Sequence, residues 1–427
     1  MKRYTYQESI SQIDKLLLRE EDTQEVLRKQ VADIIEDVRK NGDEALFRLT
    51  EEYDGVSLDT LVVTEEEFNE AMTTVSDELI TVIQEAGENI RAFHEKQIES
   101  TWTYSPEPGI VLGQKVTPIQ KVGLYVPGGK AAYPSTVLMD AIPALVAGVS
   151  ELSIVTPPQK NGKVAPAILA AAQIAGVHRV YKVGGAQAVA ALAYGTETVA
   201  PVDKIVGPGN IFVALAKREV FGKVAIDMIA GPSEVLVITD GIDTDPAIVA
   251  GDLLSQAEHD ERAMAILITT DPAFGDAVEA AIAKQLEEDL GRKDIAAKAI
   301  ADYGFIFDVH NLEEAYALAN AIAPEHLEIL LENPEEALEH LYNAGAFFIG
   351  HYTPEPLGDY FAGPNHTLPT SGTARFSSPL GVYDFIKRSS IIQYDRAALK
   401  KVYQKIATFA RSEGLDAHAL SVERRFQ

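Results

Sequence analysis

The chain has 427 residues, 46% of them hydrophobic and 24% charged, and a formal charge of −27. That length is more than one core ordinarily organises, which predicts several domains; the acidity repels phosphate backbones and anionic lipid, so nucleic acid and membrane surfaces are poor partners. Cysteine is absent, which excludes disulfides, thiolate metal sites, iron–sulfur clusters and a cysteine nucleophile.

Residues 1–22 read as an N-terminal arm. MKRYTYQESISQ has two basic residues but no apolar stretch after them, so no signal peptide is expected. The apolar runs further on are too short for a bilayer, and a soluble, cytoplasmic protein is expected. TQEVLRKQVADIIEDVRKNGDEALFRLTEEYDG and DELITVIQEAGENIRAFHEKQ repeat apolar residues at helical spacing, which predicts two amphipathic helices. From about residue 115 the texture changes. KVGLYV, ELSIVTPP, RVYKVGG, KIVGPGN, VLVIT, AMAILITT, FIFDV and AGAFFIG are short apolar runs that alternate with small-residue helical segments. Such alternation predicts parallel βα units with both sheet faces covered.

HYTPEPLGDYFAGPNHTLPTSGTARFSSPLG, residues 351–381, reads as a long loop carrying two histidines, Asp359 and Arg375. A loop of that length inside a compact protein tends to be functional. A helix, RAALKKVYQKIATFARSEGL, and a short tail with His418 end the chain. The whole reads as α/β: two tandem Rossmann-like βα domains, a helical N-terminal region and a small C-terminal helical tail.

No complete nucleotide motif is present. GPGNIF supplies Gly207 and Gly209 without a third glycine, and LYVPGGKA has Leu124 and Ala131 where a phosphate loop needs Gly and Ser/Thr. What remains are the turns PGGK, VGGAQ and GPGN at the carboxyl ends of predicted strands, where ligands bind in open α/β sheets. Glycine there serves equally well to supply positive φ in a tight turn.

In DLLSQAEHDERA, residues Asp252, Gln256 and His259 share one face at helical spacing. That face fits either a solvated stripe or half of a metal site. Of nine histidines, His94, His178, His310, His340 and His351 lie in plain contexts. His259, His326, His366 and His418 adjoin carboxylates or turn residues. A site built from them would use N and O ligands, suited to zinc or manganese. No HExxH pair exists. APEHLE sets Glu325 beside His326, an acid and a base for two proton transfers; the same letters also suit a helix N-terminus with Pro in its first turn.

Together GLYVPGGKAAYPSTVLM, VGGAQAVAALAYGT, KIVGPGN, IAGPSE, LLSQAEHDE, APEHLE, GDYFAGPNHTLPTSGTARF and SEGLDAHA resemble the L-histidinol dehydrogenase family, in order along nearly the whole chain. The resemblance implies zinc-dependent oxidation of L-histidinol through L-histidinal to L-histidine with two NAD, ending histidine biosynthesis. It implies zinc ligands Gln256, His259, Asp359 and His418, and a catalytic pair Glu325 and His326. Ser233 and Glu413 match substrate contacts, in a pocket shared with His326 and the zinc ligands. Tyr125, Gln187 and Asn210 match NAD contacts, and Asp252 carries over no role. It also implies a homodimer in which Glu413 and His418 complete the partner's site. The corresponding division is residues 23–124 with 234–375 for metal and catalytic residues, 125–233 for NAD, and 376–427 as an exchanged tail. Two other functions stand beside this one: a zinc hydrolase with Glu325 as base for a metal-bound water, and a non-catalytic protein whose acidic stripe buffers cations.

Overall fold

The computed structural model describes residues 1–11, 13–16, 24–128, 133–229, 231–288 and 290–427. Gly129 and Lys130 of the PGGK turn, Ala131, and the expected boundary near residue 22 lie outside the described residues.

The strands, in chain order, are β1 (Lys2–Thr5), β2 (Trp102–Tyr104), β3 (Ile110–Pro118), β4 (Lys121–Tyr125), β5 (Glu151–Thr156), β6 (Val180–Lys182) and β7 (Lys204–Val206). They continue as β8 (Ala225–Ile226), β9 (Glu234–Thr239), β10 (Met264–Thr269), β11 (Gly304–Asp308), β12 (His326–Leu330), β13 (Ala346–Ile349) and β14 (Ile386–Tyr394). They form three sheets. A parallel six-stranded sheet has the order β1-β11-β10-β9-β12-β13, and a parallel five-stranded sheet the order β6-β5-β4-β7-β8. An antiparallel three-stranded sheet has the order β14-β3-β2.

Successive side chains of a strand point to opposite faces. Both parallel sheets bury both faces, as the apolar runs predict. Leu236 and Ile238 of β9 join one core cluster while Val235 and Val237 join another. Val122 and Leu124 of β4 face one cluster and Tyr125 the opposite one. Parallel strands covered by helices on each side have no wet face to alternate with, so their sequences read as continuous apolar runs. Among the described residues no helix is long and apolar enough to cross a membrane.

The packing departs from the expected division in four places. The arm contributes β1, an edge strand of the first sheet, held by Arg3 bonded to both oxygens of Asp308 (2.6 and 2.9 Å). Residues 24–94 pack on the second sheet's layer rather than with 234–375. Val31, Leu46 and Leu49 share a cluster with Val189 and Leu192, and Phe68, Ile83 and Ile90 one with Leu138 and Ile142; β4 is the second sheet's middle strand. The segment 351–381 contains a helix, Glu355–Tyr360. The C-terminal tail is not only helical, because its first part is β14, paired with β3 from Ile386–Pro118 to Tyr394–Ile110. Apart from that short helix, these are contacts between residues far apart in sequence, which helical or strand periodicity does not encode.

Candidate active site

The two parallel sheets share one cleft of about 810 Å³. The second sheet offers it the turn after β7, Gly207–Asn210, at a carboxyl edge. From the first sheet come Ser233 and Glu234 at the start of β9, Gln256 and His259 ahead of β10, and Glu325 and His326 at the entry to β12. Those are amino edges. The expectation that the chemistry gathers at carboxyl ends therefore holds for one sheet only.

Glu325 and His326 open a strand, not a helix, and both are buried. One residue of the neighbouring strand orients them. The Glu234 N–H donates to Glu325 Oε2 (2.9 Å), and the Glu234 carbonyl lies 2.9 Å from His326 Nδ1. A carbonyl can only accept, so Nδ1 carries a proton in either charge state, and Nε2 is the nitrogen that is basic when the ring is neutral. Nε2 is buried without a hydrogen-bond partner, 3.7 Å from Asp359 Oδ1. Adjacent residues on a strand ordinarily diverge, yet Glu325 Oε2 comes within 3.8 Å of His326 Nδ1. Burial pushes the Glu325 carboxyl up to about 8 against the pull of His326. At His326 burial opposes the charge, but Glu325, Asp359 and Glu355 outweigh it and push the imidazolium up to about 10.

Helix Pro246–Ala257 is started by the Asp245 side chain accepting from the Ala247 N–H (2.9 Å) and carries Gln256 in its last turn. His259 lies in the turn beyond the helix, its N–H reaching the Gln256 carbonyl at 3.2 Å, so the two share a site without sharing a helical face. Asp252 is turned to Glu328, and burial raises it to about 6. Gln256 is fully buried, and neither its Oε1 nor its Nε2 has a hydrogen-bond partner. Leaving both ends of a buried amide unpaired is costly.

Beside it, His259, Glu355 and Asp359 bring their donor atoms within 4.8 Å of one another. An imidazole, two carboxylates and an orphaned amide make an N/O donor set suited to a divalent cation. Asp359 stays below the usual carboxylate range: burial opposes this, and His326, His366 and His259 overcome it.

Seven of the expected site residues line the cleft: Ser233, Gln256, His259, Glu325, His326, Asp359 and Asn210. Asn210 also caps helix Ile211–Val220, accepting from the Phe212 and Val213 N–H groups (3.0 and 3.2 Å). Tyr125 and Gln187 sit at the same sheet edge but are buried. The Tyr125 hydroxyl accepts from the Gly185 N–H (3.1 Å) at the start of the following helix, and burial pushes the phenol up to about 12. Glu413 and His418 are not brought to this cleft; both are exposed on the C-terminal helices. Glu355 was not expected. The spacing in EPLGD, with Glu355 four residues before Asp359 on one helix, is the signal that could have found it.

Two parallel sheets that present opposite edges to one cleft, with a buried acid/base pair inside it, define a two-sheet α/β enzyme. A family model described as histidinol dehydrogenase matches residues 17–426. The chain belongs to that family. It is 55% identical to histidinol dehydrogenase of Bacillus subtilis, covering 93% of each chain, and 56% identical to that of Geobacillus kaustophilus, covering 94% of each. The crystal structure of histidinol dehydrogenase from Elizabethkingia anophelis superposes with a TM-score of 0.93 at 38% identity, covering 100% of this chain and 98% of that one.

Proposed function

We propose that this cleft carries out the zinc-dependent, NAD-linked oxidation of L-histidinol through L-histidinal to L-histidine, in the cytoplasm, as the last step of histidine biosynthesis. The observation that carries the reading is the orphaned Gln256 amide in the cleft that also holds the His259, Glu355 and Asp359 cluster, with His326 Nε2 turned to Asp359 and making no hydrogen bond. Family membership supports the substrate.

Gln256, His259 and Asp359 would hold the zinc, with His418 supplied by a second copy of the chain. Zinc bound there supplies Lewis acidity and a fixed anchor for the substrate's imidazole and amine. Asn210 at the cleft, with Tyr125 and Gln187 behind it, would hold NAD, which would supply the hydride acceptor for each half-reaction. His326 would work as a neutral base, since a cation held beside Asp359 would offset the carboxylate field that favours the imidazolium. His326 Nε2 then takes the hydroxyl proton as hydride leaves the carbinol carbon. The aldehyde has no cysteine to add to it, so water must add; the Glu325 carboxylate takes a proton from that water, and the hydrate anion then loses its carbon-bound hydride to the dinucleotide and becomes the carboxylic acid. Ser233, and Glu413 of the second copy, would complete the substrate's contacts.

Zinc-loaded protein should form two NADH for each L-histidinol consumed, with histidine as product. Chelation should remove the activity and zinc restore it. One NADH per substrate would overturn the role given to Glu325. No NADH from metal-loaded dimer would overturn the dehydrogenase reading and favour a metal hydrolase.

A further inference from the structure

Gly207 opens the GPGN turn at φ +114°, and buried side chains take both of its backbone polar groups. Its N–H donates to Asp227 Oδ2 (2.8 Å), and its carbonyl accepts from Lys217 Nζ (2.9 Å). Lys217 and Asp227 also pair directly, both nearly inaccessible. A Cβ at position 207 would stand 2.2 Å from the Tyr125 carbonyl oxygen and 2.9 Å from Asp140 Oδ2. The turn is thus pressed against the end of β4 and against Asp140, on helix Pro134–Ala147.

Asp140 is fully buried and looks the other way as well. Its Oδ1 accepts from the Thr367 hydroxyl (3.2 Å), and one residue earlier the Met139 carbonyl accepts from Asn365 Nδ2 (2.6 Å). The segment 365–371 then crosses to the first sheet. Thr370 Oγ1 accepts from the Gly231 N–H (2.7 Å), and the Ser371 N–H donates to Glu234 Oε1 (3.0 Å) at the start of β9. One strap of chain therefore spans from the helix beneath the GPGN turn to the residue that orients Glu325 and His326.

The charges in this cluster are matched for a neutral Asp140. One ammonium and one carboxylate, Lys217 and Asp227, already balance, and a second buried carboxylate would have no cation of its own. Burial, then Asp227, pushes the Asp140 carboxyl well above the usual range.

We propose that Asp140 is a positioning residue: it clamps the GPGN turn and the 365–371 strap against one helix, and so fixes how far the dinucleotide lies from the carbon it oxidises. The proposal rests on the NAD-linked reading of the cleft. Asp140 is not among the residues lining the cleft and acts only through geometry, where displacements on the ångström scale matter.

The test compares D140A, D140N and T367V with the unaltered enzyme in kcat, KM for NAD, KM for histidinol, zinc content and thermal midpoint. D140A and T367V should each lower kcat by about ten-fold or more while zinc content and KM for histidinol hold. D140N keeps an oxygen for Thr367 and a donor in place of the acid proton, and should stay within about two-fold of the parent. A purely structural residue would lower the thermal midpoint without moving kcat of the folded enzyme. Should D140A fail to fold, T367V, which removes only one hydroxyl, decides the matter. Parental kcat in T367V, or D140N as impaired as a folded D140A, overturns the proposal. An unaltered enzyme that forms no NADH defeats the NAD-linked reading instead, so the two failures are distinguishable.

Discussion

The Glu234 peptide group sorts the roles of two neighbouring side chains. Its N–H bonds the Glu325 carboxylate and its carbonyl fixes His326 Nδ1, so the acid and the base cannot exchange duties without breaking strand β9. Removing one should then stop the reaction at a definite point. E325Q should complete the first oxidation and stall, giving one NADH per histidinol, with histidinal oxidation slowed about 100-fold or more. H326Q should lose the first oxidation, measured as the absence of NADH from histidinol. The pH dependence follows from the same burial. Glu325 is held up to about 8, and the carboxylate form is the one that accepts a proton, so histidinal oxidation should rise as pH climbs through about 8. A rate flat between pH 6 and about 9 would overturn that assignment. At this scale much was legible: Gln256, His259, Glu325, His326 and Asp359 each stand in a distinctive local string. Glu355 was not, because its place depends on helix Glu355–Tyr360 packing back on helix Pro246–Ala257, where the Ser255 hydroxyl donates to Glu355 (2.8 Å), a tertiary fact.

Element ends carry the site, and they bear two tasks at once. Asn210 both caps helix Ile211–Val220 and faces the cleft. The tasks should separate by substitution. N210A removes the cap and should cost about 1 kcal/mol of stability, read as a shift in denaturant midpoint. N210S can accept the same N–H bonds and should recover most of that stability, yet KM for NAD should rise in both. Equal KM in N210S and the parent would leave Asn210 as a cap alone. Strand existence was legible here because doubly covered parallel strands are continuous apolar runs. Their direction into the cleft was not. The turns PGGK, VGGAQ and GPGN advertise carboxyl edges through glycine, whereas SE, EHDER and PEH at the amino edges of β9, β10 and β12 contain none. His259 belongs to the same class. Its helical spacing from Gln256 is real in the sequence, but the helix has ended at Ala257.

The whole chain leaves the tail without a place in its own cleft. Helix Arg396–Ser412 buries only Ala398 and Ala407, and Phe409 stays 70% exposed. Glu413 and His418 follow it, in solvent. A donor set that ends at His259, Glu355 and Asp359, with an exposed histidine on C-terminal helices that leave Ile406 and Phe409 in solvent, is what an exchanged dimer would look like in one subunit. The decisive prediction uses two individually inactive variants. H326Q spoils the body of a site and H418A spoils the tail. Co-expressed with different tags and purified as a heterodimer, they distribute unequally: one site combines both defects, while the other has an unaltered body and an unaltered tail. That heterodimer should recover about half the activity of the parent dimer and bind about one equivalent less zinc. If each tail served its own body, every site would hold one defect and no activity would return. Recovery of activity therefore requires the tail to cross between subunits, and its absence in a folded, captured heterodimer would return Glu413 and His418 to the chain that carries them.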